Sequence, residues 1–177
     1  MNNQLIKNLL QSGEGLHCEF KEAANALPKN IFESICAFLN ADGGYILLGV
    51  KDNGAVAGIT ESEAGRLKAD LVNLSNNPQK LDPPYILFPE EIKLNGKTIV
   101  AVQIPVSSQL HRTGGEIYIR SEDGDYRIRG THQLAGLINR KMGMFTEQRP
   151  MPLFSMADLR SDLFERAKRL MLAQNPR

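Results

Sequence analysis

The stretch AFLNADGGYILLGVKDNG, residues 37–54, restricts the fold more than any other part of the chain. Upstream of it, Ile31, Ile35, Phe38 and Leu39 recur at helical spacing, and Pro28 suits a first helical turn. Gly43 and Gly44 stop that helix. GYILLGV, at 44–50, is too short and too continuously apolar for a surface helix and reads as a central strand. Asn53-Gly54 then predicts a tight hairpin turn, with AVAGI as the return strand.

The remaining elements follow from the same signals. Leu5, Ile6, Leu9 and Leu10 predict a short amphipathic helix over 3–11, ended by Gly13 and Gly15. Leu16, Cys18 and Phe20 alternate with His17, Glu19 and Lys21, which predicts a half-buried strand. Thr60 and Glu63 stand at capping-box spacing ahead of a helix with an Ala64, Leu67, Leu71, Leu74 stripe. Strands are predicted at 87–94 and 97–104, joined by Asn95-Gly96, and again at 116–120 and 126–129. Thr131 can cap a helix carrying Leu134, Leu137 and Ile138. This order predicts an α+β fold: a two-layer mixed β-sheet with helices mainly on one face, plus a C-terminal helix. Residues 1–142 read as one domain and 143–154, rich in Pro and Gly, as a linker. Residues 155–177 read as a C-terminal helix striped by Leu159, Leu163, Ala167 and Leu170, the start of a following region.

Composition narrows the function classes. No run approaches the roughly 20 apolar residues of a membrane span, and the N-terminus lacks the pattern of a signal peptide. A cytoplasmic protein without membrane partners is the reading, and the two distant cysteines, Cys18 and Cys36, fit a reducing compartment. The net charge of +1 excludes nothing by itself. Gly43-Gly44 is no phosphate loop: it runs helix to strand and lacks the Gly-Lys-Ser/Thr ending. Zinc is disfavoured because His17 and Cys18, adjacent on a strand, point to opposite faces.

Two constellations carry candidate chemistry. Glu14, Glu19 and Asp52 are placed at one end of the sheet, where three carboxylates would suit Mg²⁺ or Mn²⁺. Solvated surface acids are the plainer reading. The second constellation is basic: Arg112, then Arg120, Arg127 and Arg129 around Tyr118, with Lys21 nearby in the first strand. Arginines and a tyrosine on an open sheet suit phosphate and base contacts, and they also occur on any solvated sheet.

The string EGLHCEFKEA, followed by IFESICAFLNADGGYILLGVKDNGAVAGI and a later YIR, resembles the Schlafen AlbA-like domain family over roughly residues 10–141. The resemblance implies a two-layer α+β fold and nucleic-acid binding, in bacteria within cytoplasmic regulators, toxin–antitoxin or defence-type proteins. In its animal branch it implies an endoribonuclease of tRNA and rRNA, whose acids fall here on Glu14, Glu19 and Asp52. Lys51 departs from the two acids that many members carry after the Gly-Val turn. A groove like that of the ribonuclease branch would need a homodimer, since one lobe is visible.

The expected function is therefore a nucleic-acid-binding domain of a bacterial transcriptional regulator, a homodimer with DNA or RNA as partner and no cofactor required for binding. Contacts would come from Lys21, Arg112, Tyr118, Arg120, Arg127 and Arg129. The alternative is an endoribonuclease holding Mg²⁺ or Mn²⁺ on Glu14, Glu19 and Asp52. A third reading is a protein-interaction or dimerisation domain.

Overall fold

The computed structural model describes residues 1–143 and, beyond them, positions 162, 165, 166 and 168–170. The chain divides into two compact units, Met1–Gly143 and Met144–Arg177. In the second, the described positions are helical and exposed, Leu170 among them. The rest of the expected linker, and Leu159, Leu163 and Ala167, lie outside the described residues.

The first unit is built around the predicted central strand, β2 (Gly44–Leu48). It pairs in parallel with β1 (Cys18–Lys21) and antiparallel with β4 (Lys97–Ile104), whose other edge takes β3 (Glu90–Leu94). Sheet order is β1-β2-β4-β3. The parallel pair needs a crossover, supplied by helix α2 (Ile31–Asn40). Helix α3 (Glu61–Ser75) joins α2 on one sheet face, over Ile46, Leu48, Val100, Val102 and Ile104. Helix α1 (Asn3–Ser12) covers the other face, where Ile6 packs on Phe20, Leu47, Ile99 and Ala101. Each large apolar side chain buried this way contributes about 1.5–3 kcal/mol. The architecture is the predicted mixed sheet, with two helices on one face and one on the other. Both cysteines are free and buried.

The Gly-Gly stop has a close-packing cause. Gly43 has φ +73° and donates its N–H to Phe38 O at 3.1 Å, closing the helix end. A Cβ on it would stand 2.8 Å from Ile104 O, so a side chain has no room. Asn95 and Gly96, both with positive φ, form the two-residue turn between β3 and β4.

Four local expectations are corrected. A turn forms over residues 51–54, where Gly54 has positive φ and donates its N–H to Lys51 O at 2.8 Å. It centres on Asp52-Asn53, however, and 55–59 makes only isolated bridges, Val50 with Val56 and Ile59 with Thr98. Both edges of β2 are already taken by β1 and β4, leaving no ladder for a return strand. Thr60 precedes α3 without a side-chain cap bond, Glu63 pairing with Arg66 instead, and Gly130, not Thr131, is the N-cap of α4 (Thr131–Met142). The last two strands, β5 (Tyr118–Ser121) and β6 (Gly124–Arg127), form a separate hairpin. Its turn is Glu122-Asp123 and β6 starts at Gly124, two residues before the expected 126, which sets Arg120 opposite Asp125.

Candidate functional site

The three carboxylates come near one another without becoming a ligand set. Glu19 lies on the α2 face of β1, opposite Ile46, and is buried. Its Oε1 is paired with Lys21, and its Oε2 stands 2.6 Å from the Arg120 guanidinium. Glu14 accepts the Phe20 N–H at 2.8 Å. Partial burial pushes the Glu14 carboxyl above its usual range; the charges of Glu19 and Asp52 push the same way, against the Phe20 N–H and Lys21. Asp52 is exposed in the turn after β2. Among the described residues, no three His, Cys, Asp or Glu side chains are arranged to hold a metal ion. Both Glu19 oxygens face cations, so Mg²⁺ or Mn²⁺ on Glu14, Glu19 and Asp52 would need Glu19 to part from Lys21 and Arg120. Lys51 pairs with Glu22 at 3.5 Å.

Arg120 is also corrected. Sequence alternation placed it on an open sheet; its side chain is 0% exposed. It meets Asp125 at 2.9 Å, donates to Gly15 O and Cys18 O, and lies 5.0 Å over the Phe38 ring. Ser34 of α2 donates to the other Asp125 oxygen at 2.6 Å. Burial alone would lower the Arg120 pKa, but Asp125 and Glu19 outweigh it and hold the guanidinium charged. The residue therefore ties the hairpin to β1 and α2 from inside the fold. Asp125 is the partner that sequence reasoning missed; its signal was its five-residue separation from Arg120, which a two-residue turn at Glu122-Asp123 sets directly opposite.

A second buried network fixes the root of the hairpin. Asn40, the last residue of α2, donates to His111 O and Tyr118 O, each at 2.9 Å, and accepts the His111 N–H at 2.9 Å. His111 Nδ1 faces Pro83 O at 2.8 Å; a carbonyl only accepts, so Nδ1 carries the proton and Nε2 accepts from Ser107 Oγ at 2.7 Å. Burial pushes the His111 pKa down. Lys141 of α4 donates to Leu39 O and Ser107 O, and Arg140 to Asn40 O. Two cations thus sit at the carbonyl end of α2, where the helix dipole favours them.

The remaining basic candidates lie outside these networks. Arg112 and Arg129 are exposed and make no ion pair among the described residues. Arg127 is exposed and pairs with Glu116 at 2.6 Å, and it stands across the hairpin from half-buried Tyr118. Arg112 bridges Asp82 just before the turn between Thr113 and Glu116, while Arg127 ends β6 and Arg129 follows it. Tyr126, not among the expected contacts, is 53% exposed on β6. Lys21 is half-buried and engaged by Glu19, so it is not a free contact.

No helix among the described residues is long and apolar enough to cross a membrane. The fold is similar to a crystal structure of the DIP2311 protein from Corynebacterium diphtheriae, with TM-score 0.58 and 14% identity. That match covers 94% of this chain and 37% of the other, so the chain spans well under half of that protein's length. It is also similar to a solution structure of the N-terminal domain of a RecG-related protein from Nitrosomonas europaea. There the TM-score is 0.50 and identity 23%, over 74% of this chain and 91% of that one. Residues 14–129 match the Schlafen AlbA_2 family, and the chain belongs to it.

Proposed function

We propose that this Schlafen AlbA_2 domain binds nucleic acid through the base of the β5–β6 hairpin, as part of a bacterial transcriptional regulator. The observation that carries the reading is the division of labour among the arginines. Arg120 is spent on Glu19 and Asp125 inside the fold, while Arg112, Arg127 and Arg129 are exposed, Arg112 and Arg129 without an ion pair among the described residues. Flexible exposed guanidinium groups suit phosphate oxygens, and Tyr126 offers an exposed ring for a base. Family membership supports a nucleic-acid-related role. The Nitrosomonas relative is named as ATP-dependent DNA helicase RecG-related, which agrees with that reading and carries the fold alone. An endoribonuclease reading has less support, since Glu19 would first have to leave Lys21 and Arg120.

The test is a gel-shift titration of labelled duplex DNA and labelled tRNA with the chain and with an Arg127→Ala, Arg129→Ala double variant. Exposed pairs such as Arg127–Glu116 contribute little to stability, so the variant should fold as the parent does. Its affinity should fall at least about tenfold for whichever nucleic acid binds. Equal affinity of parent and variant would remove this surface, and no binding to either probe at low salt would remove the function.

A further inference from the structure

The outer edge of the four-stranded sheet is open. β3 ends the order β1-β2-β4-β3, and no backbone hydrogen bond joins its outer side to any other described residue. Its register on β4 fixes its two faces: Ile92 and Leu94 are buried towards α1, while Glu91 and Lys93 project on the α3 side. Just before it, side chains alternate between buried Leu87 and exposed Ile86 and Phe88, the last 78% exposed. An open strand edge flanked by two exposed apolar groups is a template for another strand.

Charges on an edge strand normally forbid pairing, but here their signs alternate. We propose that β3 pairs antiparallel with β3 of a second copy of this chain, about a two-fold axis through Ile92. Pairing that keeps the two sheet faces continuous allows the register to move only in steps that preserve the inside–outside alternation. With the axis at Ile92, Glu91 of each copy lies opposite Lys93 of the partner subunit, giving two opposite-charge cross-strand pairs. Moving the axis to Glu91 sets glutamate against glutamate; moving it to Lys93 sets lysine against lysine. Of these three registers, only the one about Ile92 is attractive. Glu91 already meets Lys68 at 3.0 Å and Lys93 meets Glu61, so each new pair extends an existing exchange with α3. The register also sets the exposed Phe88 across from Gly96 of the partner subunit, the position in the turn that carries no side chain. The partner is a second copy because the strand is complementary to itself.

Sedimentation velocity of the 177-residue chain tests this, with Lys93→Glu and Glu91→Lys measured separately and mixed one to one. Either single variant opposes like charges in its own dimer, while the mixture restores opposite charges across the axis. The parent should dimerise, each single variant should dissociate at least about tenfold more readily, and the mixture should recover the dimer. A parent that stays monomeric through about 0.1 mM overturns the proposal. So does a dimer that both variants leave unchanged, or a mixture no tighter than its components. The outcome is independent of nucleic-acid binding, whose failure would leave this interface standing.

Discussion

Removing the Arg120 guanidinium would leave buried Glu19 with Lys21 as its one paired cation among the described residues, and largely enclosed Asp125 with none. Uncompensated buried charge is costly, so Arg120→Met should lower stability by about 3–5 kcal/mol in urea unfolding. A loss below about 1 kcal/mol would show that the guanidinium is not the bridge described here. His111 yields a pH dependence of definite sign. Its folded pKa lies below the ordinary 6.5, so the unfolded chain binds more protons in that region. Its contribution is fully present above 6.5 and is lost as pH falls from there towards the folded value. The melting temperature should therefore drop below that pH, and His111→Gln should flatten the dependence whatever it does to the absolute value. An unchanged slope in the variant would assign the pH response to other groups. Neither residue's role was legible in the sequence. Alternation assigned Arg120 to a face, but only the packing of the hairpin on α2, with Arg120 over the Phe38 ring, decides that the face is inside. Glu19 was misjudged for the same reason.

At the level of elements, the local signals were the reliable ones. The unbroken apolar run at 44–50 and the Asn95-Gly96 turn were legible because each depends on residues next to one another. The hairpin after Asn53-Gly54 was not, because pairing of 55–59 depends on whether distant strands already occupy β2. Strand β3 begins at Glu90 where 87 was expected, since Pro89 has no N–H for a ladder. Gly43-Gly44 was read as a helix stop, and the structure adds a steric reason. Two alanine substitutions separate the cases. Gly43→Ala meets both a positive φ and Ile104 O, and should cost about 1–3 kcal/mol. Gly136→Ala, inside α4 with nothing within 4 Å of its Cβ position, should add about 0.5–1 kcal/mol. Thermal melts of the two variants should move in opposite directions, and a shift of the same sign in both would contradict these environments.

For the whole molecule, the buried networks and the exposed arginines have complementary tasks. The Glu19–Arg120–Asp125 bridge and the Asn40–His111 network hold the hairpin on α2 and the β1 edge, and that rigid base carries Arg112, Arg127 and Arg129 at the surface. Membership of the Schlafen AlbA_2 family was visible in the order of short motifs, whereas the division between buried and exposed arginines required the fold. The most direct test of that division is the salt dependence of binding, by fluorescence anisotropy on a labelled probe, for the parent and for Arg127→Ala, Arg129→Ala. Each phosphate contact contributes roughly 0.7–0.9 to the slope of log affinity against log salt. The account predicts a negative slope for the parent and one shallower by about 1.4–1.8 for the variant, the loss of two contacts. Identical slopes, with or without a change in affinity, would contradict it.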